Sequence, residues 1–228
     1  MLAPSNVRPS RTALSSQVYE ILKRQIITCQ LNPGKRLIEK GICESLSISR
    51  TPLREALNRL DQEGLVKMTP FRGYAVTMLM SEDVRDLCEL RCILETEAAG
   101  LAAERASPEE CDRLQRVADI VYVPGDRKTY QQYLASNMAF HLALAGCTHN
   151  RRLEAAVVSM LDQIQRPLYL GLDVGLDPRT ATTEHLELVQ AVRMRAPRRA
   201  RMLAQQQIRS AEARIVKALR ALELSKSN

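Results

Sequence analysis

The chain has 228 residues, of which 45% are hydrophobic and 26% charged, and these proportions are typical of folded globular proteins rather than disordered ones. It contains no run of about 20 uncharged apolar residues, which argues against a transmembrane helix. The first 16 residues lack the apolar core of a signal peptide. We therefore expect a cytoplasmic protein that makes no contact with a membrane.

The positive charge is concentrated at one end of the chain. Residues 1–80 contain 12 Lys and Arg against 6 Asp and Glu, whereas the remaining residues contain 21 against 20. Nearly all of the net charge of +7 therefore lies in the first third. Such an asymmetry is typical of a module that binds a polyanion such as DNA, fused to a nearly neutral domain.

Apolar residues at helical spacing predict two helices in the first 50 residues. The first spans residues 14–29, with Ser15 or Ser16 as its N-cap. The pair Pro33-Gly34 then marks a turn, and a short second helix runs from Glu39 to Leu46.

A third helix and a β-hairpin follow. Thr51 is the expected N-cap of this helix, Pro52 its first residue and Gly64 its end. Residues 65–69 and 74–78 alternate apolar and polar side chains on either side of a PFRG turn, as the strands of a half-buried hairpin do. Three helices followed by a hairpin predict a winged helix-turn-helix domain, in which one helix enters the major groove of DNA.

Basic side chains occupy the positions where such a domain touches DNA. Arg50 and Arg54 lie one turn apart at the start of the third helix, and an arginine fork fits guanine O6 and N7 or two phosphate oxygens. Arg72 lies at the hairpin tip, and Lys40 and the Thr51 hydroxyl are candidate phosphate contacts. For any one of them a solvated surface role is the alternative, but the set and the charge asymmetry together favour DNA contact.

Beyond residue 80 only helical patterns occur, which predicts an antiparallel all-α bundle. We place the winged helix at residues 12–79 and the bundle at 80–223. Ser107, Pro108 and Glu110 form a capping box at the start of the second bundle helix. The six predicted helices span residues 81–106, Pro108 to the VPGD break at 123–126, Tyr130 to about Ala145, Arg151 to about Leu168, Thr182–Met194, and Pro197 to about Leu222.

The sequence resembles a known family along most of its length. Residues 31–76, with SRTPLREAL, EGLV and the P-x-RG wing, resemble the GntR-family winged helix. The segments LCELRCILETEAAGLAA, NMAFHLALAG and EHLELVQAV resemble the FCD domain of the FadR subfamily, and about six helices favour its VanR-like branch. The resemblance implies that the following residues lie at the DNA interface: Lys40, Arg50, Arg54, Arg72 and Gly73.

The resemblance also implies a function. We expect a homodimer that reads a pseudo-palindromic operator, acts most often as a repressor, and is released by a small carboxylate or sugar-acid effector. In FCD regulators an arginine often faces the effector carboxylate, and Arg91 is the candidate here. The alternative for Arg91 is an ion pair with Glu89 or Glu95, and Arg166 is a weaker candidate of the same kind.

FCD domains often hold a metal ion through an Asp, a His one turn later and two further His residues. The corresponding positions here are Asn137, His141, His185 and Gln207. Two neutral amides replace stronger ligands, which predicts either a weakened site for Zn²⁺, Ni²⁺ or Mn²⁺ or a metal-free polar pocket that binds the effector through the same residues. Plain core packing is the third alternative. His149, just ahead of the expected N-cap Asn150, is interpreted as structural.

Two other functions were weighed. A metal-dependent enzyme using His141 and His185 lacks an acid–base partner, because Glu184 is expected to point elsewhere on its helix. The sequence contains no nucleophile elbow, P-loop or HExxH motif, so we expect no enzyme. A thiol-based redox sensor would use Cys88 and Cys92, which share a helix face, although scattered cysteines are more often buried apolar residues.

Overall fold

A computed structural model of the protein describes residues 11–119, 122–123, 125–172 and 178–226. The chain divides into two compact units between Met78 and Leu79. The first unit combines three helices with a small sheet, and the second is entirely helical in its described residues. The predicted fold class, a winged helix-turn-helix domain followed by an all-α bundle, is therefore confirmed.

The first unit has three helices and three short strands. The sheet is antiparallel with the order β1-β3-β2, and Leu37 of β1 lies opposite Tyr74 of β3. Strand β1 was missed, because two residues are too few to show an alternating pattern. The elements are α1 (Arg11–Ile27), β1 (Arg36–Leu37), α2 (Glu39–Leu46), α3 (Arg50–Gln62), β2 (Val66–Thr69) and β3 (Gly73–Val76).

Two predicted helix starts in this unit were wrong. Helix α1 contains Ser15 and Ser16 in its interior, and Ser15 is buried. The N-cap of α3 is Ser49, in an extended conformation, so Thr51 lies inside the first turn. Pro52, predicted as the first residue of α3, therefore lies in its first turn, and it is buried together with Leu53.

The hairpin buries fewer side chains than the alternation predicted. Val66, Tyr74 and Val76 are buried and pack with the apolar face of α3. Met68 and Met78, expected on the same face, are 51% and 50% exposed. The alternation therefore predicted both strands of the hairpin, but it wrongly placed one further residue of each, Met68 and Met78, on the buried face.

The second unit contains six helices within its described residues. They are α4 (Ser81–Arg105), α5 (Pro108–Val117), α6 (Arg127–Gly146), α7 (Arg151–Leu172), α8 (Pro178–Arg193) and α9 (Pro197–Lys226). The capping box is confirmed, since Ser107 Oγ accepts from the Glu110 backbone N–H and Glu110 Oε2 accepts from the Ser107 N–H. Helix α5 ends before the predicted VPGD break, and α7 continues through Pro167. Helix α7 extends past the predicted end at Leu168 to Leu172, and α8 begins at Pro178 rather than Thr182. Residues 173–177 lie outside the described part.

Alanine dominates the core between α4 and α9. Ala99, Ala102 and Ala103 of α4 pack with Ala200 and Ala204 of α9, and all five are buried. Small side chains let two long helices approach closely, and this brings residues of α4, α6, α8 and α9 to a common interior. None of the described helices is long and apolar enough to cross a membrane.

Candidate functional site

The predicted DNA-contact residues of α2 and α3 are exposed. Arg50, Thr51 and Arg54 are all exposed in the first turns of α3. Lys40 of α2 is also exposed, with 78% of its side chain accessible. Its Nζ lies 3.9 Å from Glu44 Oε1. The buried stripe of α3 faces the core, so these polar side chains lie on the opposite, solvent-facing side.

Arg54 is held by an acidic neighbour. Its Nε donates to Glu39 Oε2 at 2.9 Å, which joins α3 to the first residue of α2. The arginine side chain remains 58% exposed. An exposed pair of this kind contributes little to stability, so its charge is available to a stronger anion such as a phosphate.

The wing ends in a tight turn that presents Arg72. The turn closes with a hydrogen bond from the Arg72 N–H to the Thr69 carbonyl at 3.0 Å. Gly73 has a φ of 77° and Phe71 one of 63°, so the turn uses the left-handed region twice. Phe71 is fully exposed at the tip, and the sequence interpretation did not single it out.

The interior of the second unit contains a small polar cavity between α4, α6, α7, α8 and α9. Its free space is about 10 Å³, which is room for about one water molecule. Four of the predicted effector residues line it, namely Arg91, Asn137, His141 and Gln207. The remaining lining residues are Tyr133, Leu168, Ala181, Glu184, Ala211 and Arg214.

A buried carboxylate joins two of these residues. Arg91 Nε donates to Glu95 Oε1 at 2.6 Å, and His141 Nδ1 lies 2.6 Å from Glu95 Oε2. All three side chains are at most 4% exposed. The His141 contact requires a proton on Nδ1, since two bare acceptors would repel at that distance. The chain Arg91–Glu95–His141 therefore links α4 to α6 inside the bundle.

The charges in this chain stabilise each other. Burial alone would raise the pKa of Glu95, but the Arg91 guanidinium and the His141 imidazole outweigh it and the pKa is lowered. Burial likewise works to lower the pKa of Arg91, and Glu95 reverses that effect. Both groups are therefore ionised at neutral pH. Arg91 keeps one polar atom unused, because its Nη1 is buried and has no hydrogen-bond partner among the described residues.

His185 lies beside the cavity but does not line it. Its ring stacks on Phe140 with centroids 3.9 Å apart and meets the His141 ring edge-on at 5.4 Å. The side chain is fully buried, and burial followed by the charge of His141 lowers its pKa well below 6.5. His185 is therefore neutral, and we find it in the wall behind His141 rather than at the cavity surface.

The residues present do not fit a resident divalent metal. Within the described residues, no group of three or more His, Cys, Asp and Glu side chains is arranged to hold one. Asn137 and Gln207 offer neutral oxygens, and neither nearby carboxylate is free, because Glu95 is taken by Arg91 and His141 while Glu184 interacts with Arg214. A dication here would add uncompensated charge next to a buried guanidinium, which is costly in a dry interior.

Several residues of the cavity were missed or misplaced from the sequence. Glu184 points in a different direction from its neighbour His185, as expected, but it lines the cavity together with His141, which was not foreseen. Tyr133 and Arg214 were not singled out. The signal was present, because Tyr133 precedes Asn137 by one turn on α6 and Arg214 lies two turns after Gln207 on α9.

The other sequence candidates lie outside the cavity. Arg166 is buried in α7 and does not line it. His149 is exposed, with Nε2 3.1 Å from Glu110. Asn150 is the N-cap of α7, as predicted, because its side chain accepts from two backbone N–H groups.

Burial raises the pKa of the Cys88 thiol to about 11 and also raises that of Cys92, which leaves little thiolate for redox sensing.

Comparison with known proteins matches both units. The FCD domain family matches residues 86–210, and the family described as bacterial regulatory proteins, gntR family, matches residues 14–76. This chain is a GntR-family regulator with an FCD domain. Regulators of this family bind DNA operators, and their FCD domains bind small-molecule effectors and, in some members, metals. The family is one of transcriptional regulators and not of enzymes.

Individual relatives agree with this assignment. The HTH-type transcriptional repressor RspR of Escherichia coli is 25% identical over 195 residues, covering 86% of this chain and 85% of that protein. The Nta operon transcriptional regulator of Aminobacter aminovorans is 34% identical over 139 residues, covering 61% of this chain and 66% of its own length.

Solved structures show the same fold. A putative transcriptional regulator GntR from Rhodococcus sp. RHA1 has a TM-score of 0.69 at 24% identity, covering 90% of this chain and 98% of its own. E. coli McbR/YncC has a TM-score of 0.62 at 23% identity, covering 94% of this chain and 99% of its own. At these identities the likeness concerns the fold alone.

Proposed function

We propose that this regulator is a homodimeric repressor that leaves its operator when a small carboxylate or sugar acid enters the bundle cavity. The observation that carries the proposal is the buried Arg91 guanidinium, which lines the cavity with Nη1 unpaired. A guanidinium in a dry site binds a carboxylate strongly and with defined geometry. The name of the relative RspR, a transcriptional repressor, supports the direction of regulation.

The DNA-contact surface consists of exposed residues of α2, α3 and the wing. In the proposed complex Arg50 and Arg54 read base edges or phosphates, and Lys40 and Thr51 contact the backbone. Arg72 follows the backbone or minor groove, while Gly73 allows the turn that presents it. Two such heads related by a two-fold axis would read a pseudo-palindromic site.

The effector pocket works without a metal ion in this proposal. Arg91 binds the carboxylate, the amides of Asn137 and Gln207 supply neutral hydrogen bonds, and His141 is positioned by Glu95. His185 supports His141 from behind rather than contacting the effector. A bound divalent metal, the alternative for Asn137, His141, His185 and Gln207, is disfavoured because those donors carry no charge that would offset the cation.

The size of the cavity links binding to regulation. Free space of about 10 Å³ is far too small for an organic acid, so binding must displace side chains or separate the surrounding helices. An effector shifts a two-state equilibrium only if it prefers one state. A cavity that is nearly closed without ligand provides that preference, since the effector binds only the opened arrangement of the bundle.

The DNA part of the proposal is tested with arginine variants. Arg50→Ala and Arg54→Ala are each compared with Arg198→Ala, an exposed arginine of α9, by fluorescence anisotropy on DNA fragments flanking the gene. We expect specific binding to be lost in the first two and kept in the third, with unchanged size in gel filtration. Sequence-specific binding retained by both α3 variants would refute the proposed DNA surface.

The effector part is tested by thermal unfolding with a panel of carboxylic acids, because a ligand of the native state raises Tm. Arg91→Gln combined with Glu95→Gln is the matched variant, since it keeps two hydrogen-bonding side chains and removes both buried charges. We expect stabilising acids to release wild-type protein from DNA and to have no effect on the double variant. Stabilisation that persists in the double variant would place the effector elsewhere.

A further inference from the structure

Two residues that line the cavity of the second unit each have a buried polar atom with no hydrogen-bond partner among the described residues, and the two atoms are of opposite type. Nη1 of Arg91 is a donor, and Oε2 of Glu184 is an acceptor. They come from different helices, α4 and α8, and both side chains line the same cavity. Buried polar groups are nearly always paired in native proteins, so an unpaired donor and acceptor facing one cavity indicate a ligand with both functions.

Each of these side chains also has a partner of opposite charge on its other side. Glu95 accepts from Arg91 Nε at 2.6 Å and neutralises its charge. Burial raises the pKa of Glu184, and Arg214 and the Ser210 hydroxyl oppose this effect without cancelling it. Arg214 Nη1 also donates to Ser210 Oγ at 2.6 Å. A ligand therefore has to complete one hydrogen bond at each end, and a donor at Glu184 would also offset part of the cost of burying that carboxylate.

Apart from the two ends, His141 and Arg214, the polar groups of the lining are neutral. Asn137 and Gln207 contribute amides, and burial raises the pKa of Tyr133 to about 12, so that its phenol keeps its proton. A second carboxylate on the ligand would meet Glu184 and be repelled. The lining therefore favours one acidic end and one donor end.

We propose that the effector is a carboxylic acid that also carries a hydrogen-bond donor, a hydroxyl or an ammonium group, with the carboxylate on Arg91 and the donor on Glu184. This inference rests on the proposed function, because it specifies the ligand of the same pocket. An acid without the donor leaves Glu184 Oε2 unpaired, and a site built to bind a donor rejects such an analogue by about ten- to hundredfold in affinity.

Matched acids test the requirement for a donor. Thermal unfolding of the full chain is measured with propanoate, L-lactate and L-alanine, with succinate, L-malate and L-aspartate, and with hexanoate and D-gluconate. We expect at least one donor-bearing acid to raise Tm by about 5 °C at 100 times its Kd, while its donor-free partner needs at least about tenfold more. Equal shifts for partners in every set, or no shift with any of these acids, would overturn the proposal.

Variants of Glu184 separate the two kinds of donor. Glu184→Gln keeps an acceptor oxygen but removes the charge, and Glu187→Gln is the control, an exposed glutamate of the same helix. An ammonium ligand should lose about tenfold or more in affinity with Glu184→Gln, whereas a hydroxyl ligand should lose less than about threefold. Glu184→Leu should remove the preference for either donor, and a preference that survives in it would also overturn the proposal.

DNA binding distinguishes this inference from the proposed function. If the wild-type protein binds its operator and is released equally by acids with and without a donor, the proposed function is supported and the proposed role of Glu184 is refuted. If the protein shows no salt-sensitive binding to any flanking DNA, the proposed function itself fails.

Discussion

Arg91 and Glu95 form an ion pair one helical turn apart on α4, with Nε 2.6 Å from Oε1 and both side chains almost fully buried. The sequence is compatible with two roles for Arg91, an effector contact or an ion pair with a neighbouring glutamate. The structure supplies the ion pair and also places Arg91 at the cavity. The two roles are compatible, because Glu95 engages Nε and leaves Nη1 unpaired.

This pair makes a prediction about stability. Arg91→Met leaves the Glu95 carboxylate buried with only His141 beside it, so we expect a loss of about 3 kcal/mol in the free energy of unfolding. Arg91→Met with Glu95→Leu removes both charges, and we expect a loss of about 1 kcal/mol or less. Urea denaturation followed by circular dichroism measures both. A double variant as unstable as the single one would show that packing, and not charge pairing, dominates.

His185 predicts a dependence of stability on pH. Its pKa in the folded protein is well below 6.5, its ordinary value, chiefly because of burial. As the pH falls below 6.5 the unfolded chain takes up a proton that the folded chain does not, so stability is lost from that pH downward. The loss reaches about 1.4 kcal/mol per pH unit at most.

The measurement compares urea denaturation of wild-type protein and His185→Gln at pH 7.5 and 5.5. We expect wild-type stability to fall by about 1 kcal/mol more than that of the variant across this interval. His149→Gln is the control, because that histidine is exposed on the surface. Equal pH dependence in wild type and His185→Gln would mean that His185 accepts a proton in the folded state.

The helices were largely predictable because capping chemistry and apolar spacing act locally. Ser107 and Pro108 fixed the start of α5, and Asn150 that of α7. Strand β1 was not predictable in this way, since Arg36 and Leu37 pair only with β3, far along the chain. Helix α5 ends at Val117, well before the VPGD break, because a proline-glycine pair marks where a helix cannot continue rather than where it stops.

The cavity was only partly predictable for a related reason. Asn137 and His141 were found because they are one turn apart on one helix, and Arg91 because arginine binds carboxylates. Glu184 and His185 are neighbours in sequence, yet Glu184 lines the cavity while His185 stacks on Phe140. Which of two adjacent helical residues faces a cavity depends on how the helix is rotated against its neighbours, and the sequence of that helix alone does not determine it.

The contact between Glu39 and Arg54 predicts a gain of DNA affinity. Glu39 Oε2 holds Arg54 Nε at 2.9 Å and competes with a phosphate for it. Glu39→Gln frees the guanidinium and removes a negative charge from the proposed interface, so we expect affinity to rise about two- to fivefold at fixed salt. Glu20→Gln, an exposed glutamate of α1, controls for net charge. Anisotropy titrations that give equal gains for both variants would show a general charge effect and no role for Arg54.

The metal-free pocket makes a prediction that can be tested by gain of function. Asn137→Asp with Gln207→His would give the cavity one carboxylate and, with His141, two imidazoles, which are ligands that bind Zn²⁺ and Ni²⁺ well. We expect the double variant to bind either ion, with a rise in Tm that EDTA reverses, while the Tm of wild-type protein is unchanged by ions or EDTA. Asn137→Asp alone is the intermediate control. A fall in wild-type Tm on adding EDTA, with metal found in the purified protein, would show that two amides and two imidazoles suffice and that Arg91 tolerates the cation.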